Sequence, residues 1–214
     1  MRSRFRSTRS TRRREAGDSL VEGGFSLLEL LVVVGLTAVI SAIAVPMMSN
    51  NLGYLRLSGD ARSLSNATSL ARMQAASSFG QTRVYLDFSV NGYHIEIKTP
   101  TSSWTAQGGV SYLSSVAESY GFGVVSAAPP NTQTTIGQAP PCLNNASPAL
   151  PIANTACIVF NSRGIPIDAT GAPTGAYAVY LTDGVAVYGV TVSATSTIRL
   201  WRTNPSVIPS WVQQ

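Results

Sequence analysis

GFSLLELLVVVGLTAVISAIAVPMM, residues 24–48, is the stretch that decides the architecture of the N-terminal part of this chain. From Phe25 to Met48 it contains one charged side chain, Glu29, among apolar and small residues. A helix of that length spans about 36 Å, which is enough to cross a bilayer core of about 30 Å. The sequence therefore predicts a membrane-spanning helix near the N terminus.

The segment before this stretch is strongly basic. Seven of the fifteen Lys and Arg residues lie within positions 1–24, and no comparable cluster follows the apolar stretch. Because basic residues are retained on the cytoplasmic side of a membrane, the N terminus is expected in the cytoplasm and the body outside it. The pI of about 9.6 is mainly a property of this leader and is weak evidence for a body that binds nucleic acid.

Two ordinary interpretations of the apolar stretch are a plain signal anchor and a secretory signal cleaved after Ala44. The sequence Ala42-Ile43-Ala44 has the small-residue spacing of a secretory cleavage site. Glu29 argues against a secretory signal, whose apolar region is an uninterrupted run of roughly 7–15 residues. A carboxylate inside such a run costs about 2–3 kcal/mol, so its presence indicates a function.

A third interpretation comes from the residues around Gly24. Gly24-Phe25-Ser26-Leu27-Leu28-Glu29 resembles the prepilin cleavage and N-methylation motif. The resemblance implies cleavage after Gly24 by a membrane aspartic prepilin peptidase, and methylation of the new terminus at Phe25. It also implies that Glu29 pairs with the terminal amine of a neighbouring subunit. Pro46 falls where pilins and pseudopilins commonly carry a proline that kinks the helix.

The helical pattern continues beyond the apolar stretch, and Leu64, Ala67, Ala71 and Ala75 recur on one face. We expect a cleaved leader over 1–24, a transmembrane helix over 25–48, an amphipathic continuation over 49–80 and a β-rich domain over 81–214. Gly53 and Gly59 weaken the helix by up to about 1 kcal/mol each. The helix is therefore expected to bend or melt locally between Pro46 and Gly59.

A hairpin signal follows the helix. Apolar residues alternate with polar ones from Val84 to Phe88 and again from Tyr93 to Ile97, on either side of Asn91-Gly92. A two-residue turn at Asn91-Gly92 would place Phe88 opposite Ile95, Leu86 opposite Ile97, and Asp87 opposite Glu96.

Residues 99–155 are rich in Ser, Ala, Gly, Pro and Asn, and predict loops with one or two short strands. Cys142 and Cys157 are the only cysteines. In an exported domain they favour a disulfide, which would stabilise the fold by about 3 kcal/mol on the chain-entropy model. The alternative is two free thiols.

Strand patterns return over 157–160, 176–182, 185–192 and 197–202. Phe160-Asn161-Ser162-Arg163-Gly164 and the final hairpin resemble the GspH/FimT family of minor pseudopilins and minor pilins. The resemblance implies an α+β fold, with a long N-terminal helix packed on an antiparallel sheet of six or seven strands. FimT-like members carry a Gly-Arg-x-Arg stretch tied to DNA binding, and only Arg199 matches it here. Arg199, Trp201 and Arg202 are therefore the candidate DNA contacts.

The sequence offers little for catalysis. Gly17-Asp18-Ser19-Leu20 spells an esterase signature but lies in the leader, and the only histidine, His94, is expected to be a solvated strand residue. No metal or cofactor is expected, since no ligand spacing is present.

Together these patterns predict a non-enzymatic minor subunit of a type II secretion pseudopilus or a type IV pilus. It would be a single-pass protein of the bacterial inner membrane with a periplasmic body, later built into the filament. Its expected partners are the prepilin peptidase and methyltransferase, other pilins or pseudopilins, and the membrane. The alternatives are a DNA-binding minor pilin and a membrane-anchored or secreted β-domain protein outside any filament.

Overall fold

The computed structural model describes residues 25–214, apart from the side chains of residues 45–51. One helix, α1, covers Leu27–Ser77. The helix continues through Pro46, Gly53 and Gly59, so the expected local melting of the helix is absent. A proline removes one hydrogen bond and each glycine costs about 1 kcal/mol, which is too little to end so long a helix. The kink at Pro46 stays a prediction.

The chain divides into two compact units between Val45 and Pro46. The described part of the first unit is the N-terminal part of α1, whose side chains are exposed from Leu27 to Ala44. Leu27–Ala44 has a mean hydropathy of 2.5 and is the one described helix segment long and apolar enough to cross a membrane.

The second unit contains the rest of α1 and nine strands in the described chain, arranged in two antiparallel sheets. The strands are β1 Thr82–Asp87, β2 Gly92–Lys98, β3 Trp104–Tyr112, β4 Ser119–Tyr120, β5 Thr155–Phe160, β6 Tyr177–Thr182, β7 Val187–Val192, β8 Ile198–Thr203 and β9 Val212–Gln213. The first sheet has the order β3-β2-β1-β5, and the second has the order β4-β6-β7-β8-β9.

One face of α1 packs against both sheets. Leu64, Ala71 and Ala75 are fully buried there, together with Ala61 and Leu57, which lie one and two turns before Leu64. Small residues on a helix let its backbone approach a sheet closely, and the side chains of both sheets fill the remaining core. The predicted α+β architecture, a long N-terminal helix packed on antiparallel sheet, is confirmed.

The number of strands and their division differ from the prediction. A single sheet of six or seven strands was expected, whereas the described residues form a four-stranded and a five-stranded sheet. Residues 99–155 include β3, a strand of nine residues rather than a short one. Eight of those residues are exposed, so the sequence of β3 need not alternate between apolar and polar residues. Without that alternation, the strand could not be predicted from the sequence.

The register of the first hairpin was also predicted wrongly. Asp87 pairs with Gly92 and Leu86 with Tyr93, so the loop is Phe88–Asn91 and not a two-residue turn. The Asp87 carboxylate accepts the backbone N–H of Ser89 at 2.9 Å, and Asn91 adopts a φ of 49°. These local bonds stabilise the longer loop. The predicted contact of Asp87 with Glu96 is avoided, because Glu96 lies opposite Arg83.

Candidate functional sites

The N-terminal segment begins with a capped helix. Ser26 Oγ accepts the backbone N–H of Leu28 at 3.2 Å, and the Ser26 carbonyl accepts the N–H groups of Glu29 and Leu30 at 3.0 and 3.1 Å. Phe25, the expected new terminus, immediately precedes this cap and is 81% exposed. Glu29 therefore lies in the first turn of α1, where a carboxylate is favoured by the helix dipole.

Polar side chains inside the apolar part of α1 are satisfied by the helix itself. Thr37 donates its hydroxyl to the carbonyl of Val34 at 2.9 Å, and Ser41 donates to Thr37 at 2.7 Å. Such bonds allow hydroxyls to enter a bilayer without an unmet donor. Glu29 differs, because the ion pairs found among residues 25–214 do not include it. Its carboxylate is the charged group of this segment that would need a partner in lipid.

Two expected features of the N terminus cannot be placed. Gly24, the residue before the expected cut, and the tetrapeptide Gly17-Asp18-Ser19-Leu20 both lie outside the described residues.

Cys142 and Cys157 are joined by a disulfide and are both buried. The bridge ties the start of a loop to β5, and Cys157 donates its N–H to the carbonyl of Pro140 at 2.9 Å. Thr155 Oγ1 accepts the N–H of Cys142 at 3.0 Å, so the two ends are also held by hydrogen bonds.

Replacing both Cys142 and Cys157 by alanine is expected to lower the free energy of unfolding by about 3 kcal/mol, because the unfolded chain loses a cross-link. Thermal unfolding of the full chain in detergent, with and without reductant, measures the effect. Reductant should lower the Tm of the native chain and leave that of the double variant unchanged. An unchanged Tm for the native chain, with both thiols then open to alkylation, would contradict the prediction.

A polar network that the sequence did not reveal covers the outer face of the first sheet. Arg83 is buried, pairs with Glu96 and donates from Nη1 to the Leu143 carbonyl at 2.7 Å. Its guanidinium also lies 4.3 Å from the centre of the Trp104 ring. Burial lowers the pKa of Arg83, and Glu96 opposes that shift. These contacts hold the loop that contains Cys142 and Leu143 against the first sheet.

His94 belongs to this network, so the expectation that it is a solvated strand residue is wrong. Its ring stacks on Tyr85 with 4.9 Å between centroids, and its Nε2 lies 3.2 Å from Glu96 Oε1. Its side chain is only 16% exposed. The alternation of apolar and polar residues correctly predicted that His94 lies on the outer face of the first sheet. It could not predict the loops that cover this face.

The structure does not bring the three candidate DNA contacts together. Arg199 is exposed, while Trp201 is buried and donates its indole N–H to Thr191 Oγ1 at 3.0 Å. Arg202 is three positions from Arg199 on β8, so the two arginines lie on opposite faces of the strand. The Arg202 guanidinium stacks over the Tyr54 ring of α1 at 4.7 Å. A buried tryptophan cannot stack on a base, and Arg202 serves the contact between helix and sheet.

A second arrangement that the sequence did not reveal joins α1 to the loop before β4. Asp60 is 7% exposed, and its two carboxylate oxygens accept the backbone N–H of Ser114 at 2.6 Å and the Ser114 hydroxyl at 2.7 Å. Glu118, four residues further along this loop, is 1% exposed, and its Oε2 has no hydrogen-bond partner in the described chain. Burial, followed by the neighbouring carboxylate of Asp60, raises the pKa of Glu118 to about 8.

Comparison with solved structures finds the minor pseudopilin EpsH from the type 2 secretion system of Vibrio cholerae. The similarity covers 68% of this chain and 95% of that chain, at 14% sequence identity and a TM-score of 0.44. No protein-family model matches the chain, and no curated protein matches it.

Proposed function

We propose that this chain is a structural minor subunit of a type II secretion pseudopilus or type IV pilus, anchored in the membrane through α1. The observation that carries the proposal is the segment from Phe25 to Ala44. It combines a capped helix start, exposed apolar side chains and a single carboxylate at Glu29.

The chemistry of assembly follows from these residues. Cleavage after Gly24 would create an α-amine at Phe25, four residues before Glu29. A carboxylate in lipid is stabilised by a cationic partner, and the new amine of an adjacent subunit supplies one. The exposed apolar residues of Leu27–Ala44 would cover the helices of neighbouring subunits once the chain leaves the bilayer.

The body of the chain supports a structural role better than DNA binding. Of the three candidate DNA contacts, Trp201 is buried and Arg202 is stacked on Tyr54, which leaves Arg199 alone on the exposed face. A single exposed arginine neutralises few phosphates, which gives little affinity at physiological salt. The proposal therefore assigns the chain to a filament and not to DNA capture.

The deciding experiment is the intact mass and N-terminal residue of the chain made with and without a prepilin peptidase. The expected product with the peptidase begins at an N-methylated Phe25, and the product without it begins at Met1. A start at Met1 in both cases would indicate a signal-anchored protein, and a start at Val45 a secreted one. Either result would refute the filament proposal.

A further inference from the structure

A polar cluster lies where α1 meets the second sheet. Tyr188 on β7 and Arg202 on β8 are partners in the ladder, so they share the face of the sheet that packs on α1. The guanidinium of Arg202 lies 4.7 Å from the centre of the Tyr54 ring of α1. Ser58 follows Tyr54 by one helical turn and projects from the same side of α1. Three hydroxyls and one guanidinium, all of them hydrogen-bond donors, therefore meet at this contact.

Two buried atoms of this cluster have no partner. Arg202 Nε and Tyr188 Oη are both buried, and neither makes a hydrogen bond to any of residues 25–214. Burial raises the pKa of the Tyr188 hydroxyl, and the neighbouring Tyr54 hydroxyl raises it further, whereas Ser58 and Arg202 lower it. These groups are thus close enough to influence Tyr188 without pairing with it in good geometry. Buried polar atoms without a partner are rare in folded proteins, and each calls for an explanation.

The cluster also carries a positive charge that no neighbouring side chain neutralises. Both ion pairs of the described chain involve Glu96, so Arg202 has no carboxylate partner there. Asp60, on the same part of α1, is turned to the loop before β4, where its carboxylate accepts from Ser114. A water molecule can pair with a hydroxyl, but it leaves the charge of the guanidinium uncompensated. The cluster therefore lacks an anion with several acceptor oxygens.

We propose that four side chains at this contact form a binding site for a phosphate group: Tyr54, Ser58, Tyr188 and Arg202. A guanidinium donates parallel hydrogen bonds to two phosphate oxygens, and hydroxyls donate to the others. The cluster reaches the surface, because Tyr54 is 37% exposed and Arg202 is half-buried. It offers a single positive charge, which suits one phosphate group better than the phosphate chain of a nucleic acid.

Two sources of phosphate fit this site, a phospholipid headgroup and free phosphate, and the sequence favours the lipid. The predicted transmembrane segment ends at Met48, and Tyr54 follows six positions later, a rise of about 9 Å in a helix. The headgroup layer extends about 5–8 Å beyond the hydrocarbon core, and tyrosine is enriched at that level. The lipid source rests on the proposed membrane anchoring. Phosphate recognition itself depends only on the second unit, so the two fail separately.

The first test titrates the full chain with phosphatidylglycerol in maltoside micelles, an uncharged detergent without phosphate, and counts bound lipid by native mass spectrometry. Arg202→Gln should weaken binding of one lipid about tenfold or more, because hydrogen bonds to a charged group are lost. Arg199→Gln is the matched control, since it removes the same charge from the opposite face of the same strand. It should change the affinity by less than about twofold. Equal losses in the two variants, or no loss in either, would overturn the proposal.

Further titrations identify the group that is bound and its source. A diacylglycerol with the same chains should not compete with phosphatidylglycerol, and equal competition would overturn the proposal because the chains would then be the ligand. Inorganic phosphate at constant ionic strength should raise the Tm of the native chain but not that of Arg202→Gln. If only inorganic phosphate binds with this dependence, the site stands and its ligand is free phosphate. Single-stranded DNA that binds through Arg202 more tightly than the lipid would overturn the proposal in favour of a nucleic-acid surface.

A second variant separates binding from folding. Tyr188→Phe removes only the unpaired hydroxyl, so the Tm of the free chain should be unchanged or higher, while lipid binding weakens about threefold or more. Tyr177→Phe is the control, because the Tyr177 hydroxyl already donates to the Ile167 carbonyl at 2.6 Å. That variant should lower the Tm and leave lipid binding unchanged. A lower Tm for Tyr188→Phe with unchanged lipid affinity would show that its hydroxyl serves the fold, and would overturn the proposal.

Discussion

Replacing Glu118 by glutamine is expected to stabilise the domain progressively as the pH rises, by roughly 2–4 kcal/mol at pH 8, since each pKa unit corresponds to about 1.4 kcal/mol. The side chain is 1% exposed, and the pKa of its carboxyl is raised from 4.5 to about 8. Burial is the main cause, and the adjacent Asp60 carboxylate is the next. In the folded chain Glu118 is thus neutral at pH 7.

The direction of the pH effect follows from the two protonation equilibria. Between pH 4.5 and about 8 the unfolded chain loses the Glu118 proton, while the folded chain keeps it. The folded state then binds more protons, so stability falls as the pH rises through this window. Glutamine has no proton to lose and carries no charge beside Asp60. The slope of stability against pH should therefore flatten in the variant.

Urea unfolding of both proteins between pH 5 and 9 measures this slope. Asp168→Asn is the matched control, because Asp168 is a half-buried carboxylate in a turn whose pKa is lowered by its bond to Thr170. A carboxyl whose pKa is lowered from 3.8 changes the stability only near and below that pH, because at higher pH it is ionised in both the folded and the unfolded chain. The variant should therefore keep the native slope of stability against pH from pH 5 upward. If Glu118→Gln retains the native slope, the buried carboxyl is not the source of the pH dependence. Arg56 and Asp183 also influence Glu118, in opposite directions, and remain in both variants.

Replacing Glu29 by glutamine is expected to lower incorporation of the processed chain into filaments by about tenfold or more. Removing one partner of a charge pair in apolar surroundings costs about 3–5 kcal/mol because the other charge is left unpaired, and about 1.4 kcal/mol corresponds to a factor of ten. Glutamine keeps the size and the hydrogen-bonding carbonyl but removes the negative charge that attracts the amine of Phe25. Cleavage after Gly24 should continue, since the helix start at Ser26 is unchanged.

The measurement is the share of processed chain in a sheared filament fraction relative to the membrane fraction. Ser41→Ala is the control, because it removes another polar group of the apolar segment whose hydroxyl is already satisfied by the helix. Normal incorporation of Glu29→Gln would refute the assembly role of the carboxylate. Loss of cleavage in that variant would instead show that Glu29 is read by the peptidase.

Local patterns in the sequence were enough for the long helix and for most strands. The apolar run from Phe25 and the spacing of Leu64, Ala71 and Ala75 predicted α1, which ends at Ser77. Alternation predicted the strands near 84–88 and 93–97, because side chains facing a core must recur every second residue. Each of these patterns involves only residues that are close together in the sequence, so it can be recognised without knowledge of the fold.

The hairpin register shows where local reasoning stops. Asn91-Gly92 is a strong signal for a two-residue turn, yet the loop that forms is Phe88–Asn91. The observed register is shifted by an even number of residues, so Val84 and Leu86 still face the core. The hydrophobic pattern therefore could not distinguish the two registers. Pairing of Glu96 with Arg83, and not with Asp87, accompanies the observed one.

The sequence by itself determined the apolar helix and its single carboxylate at Glu29, because these depend on composition and on periodic spacing along the chain, and its resemblance to a known family implied the α+β architecture. Only the tertiary structure decided the burial of Trp201 and the meeting of Asp60 with Ser114 beside Glu118. These features join residues that lie apart in the sequence. Their energies come from desolvation and from hydrogen bonds between such residues, and neither exists until the chain has folded.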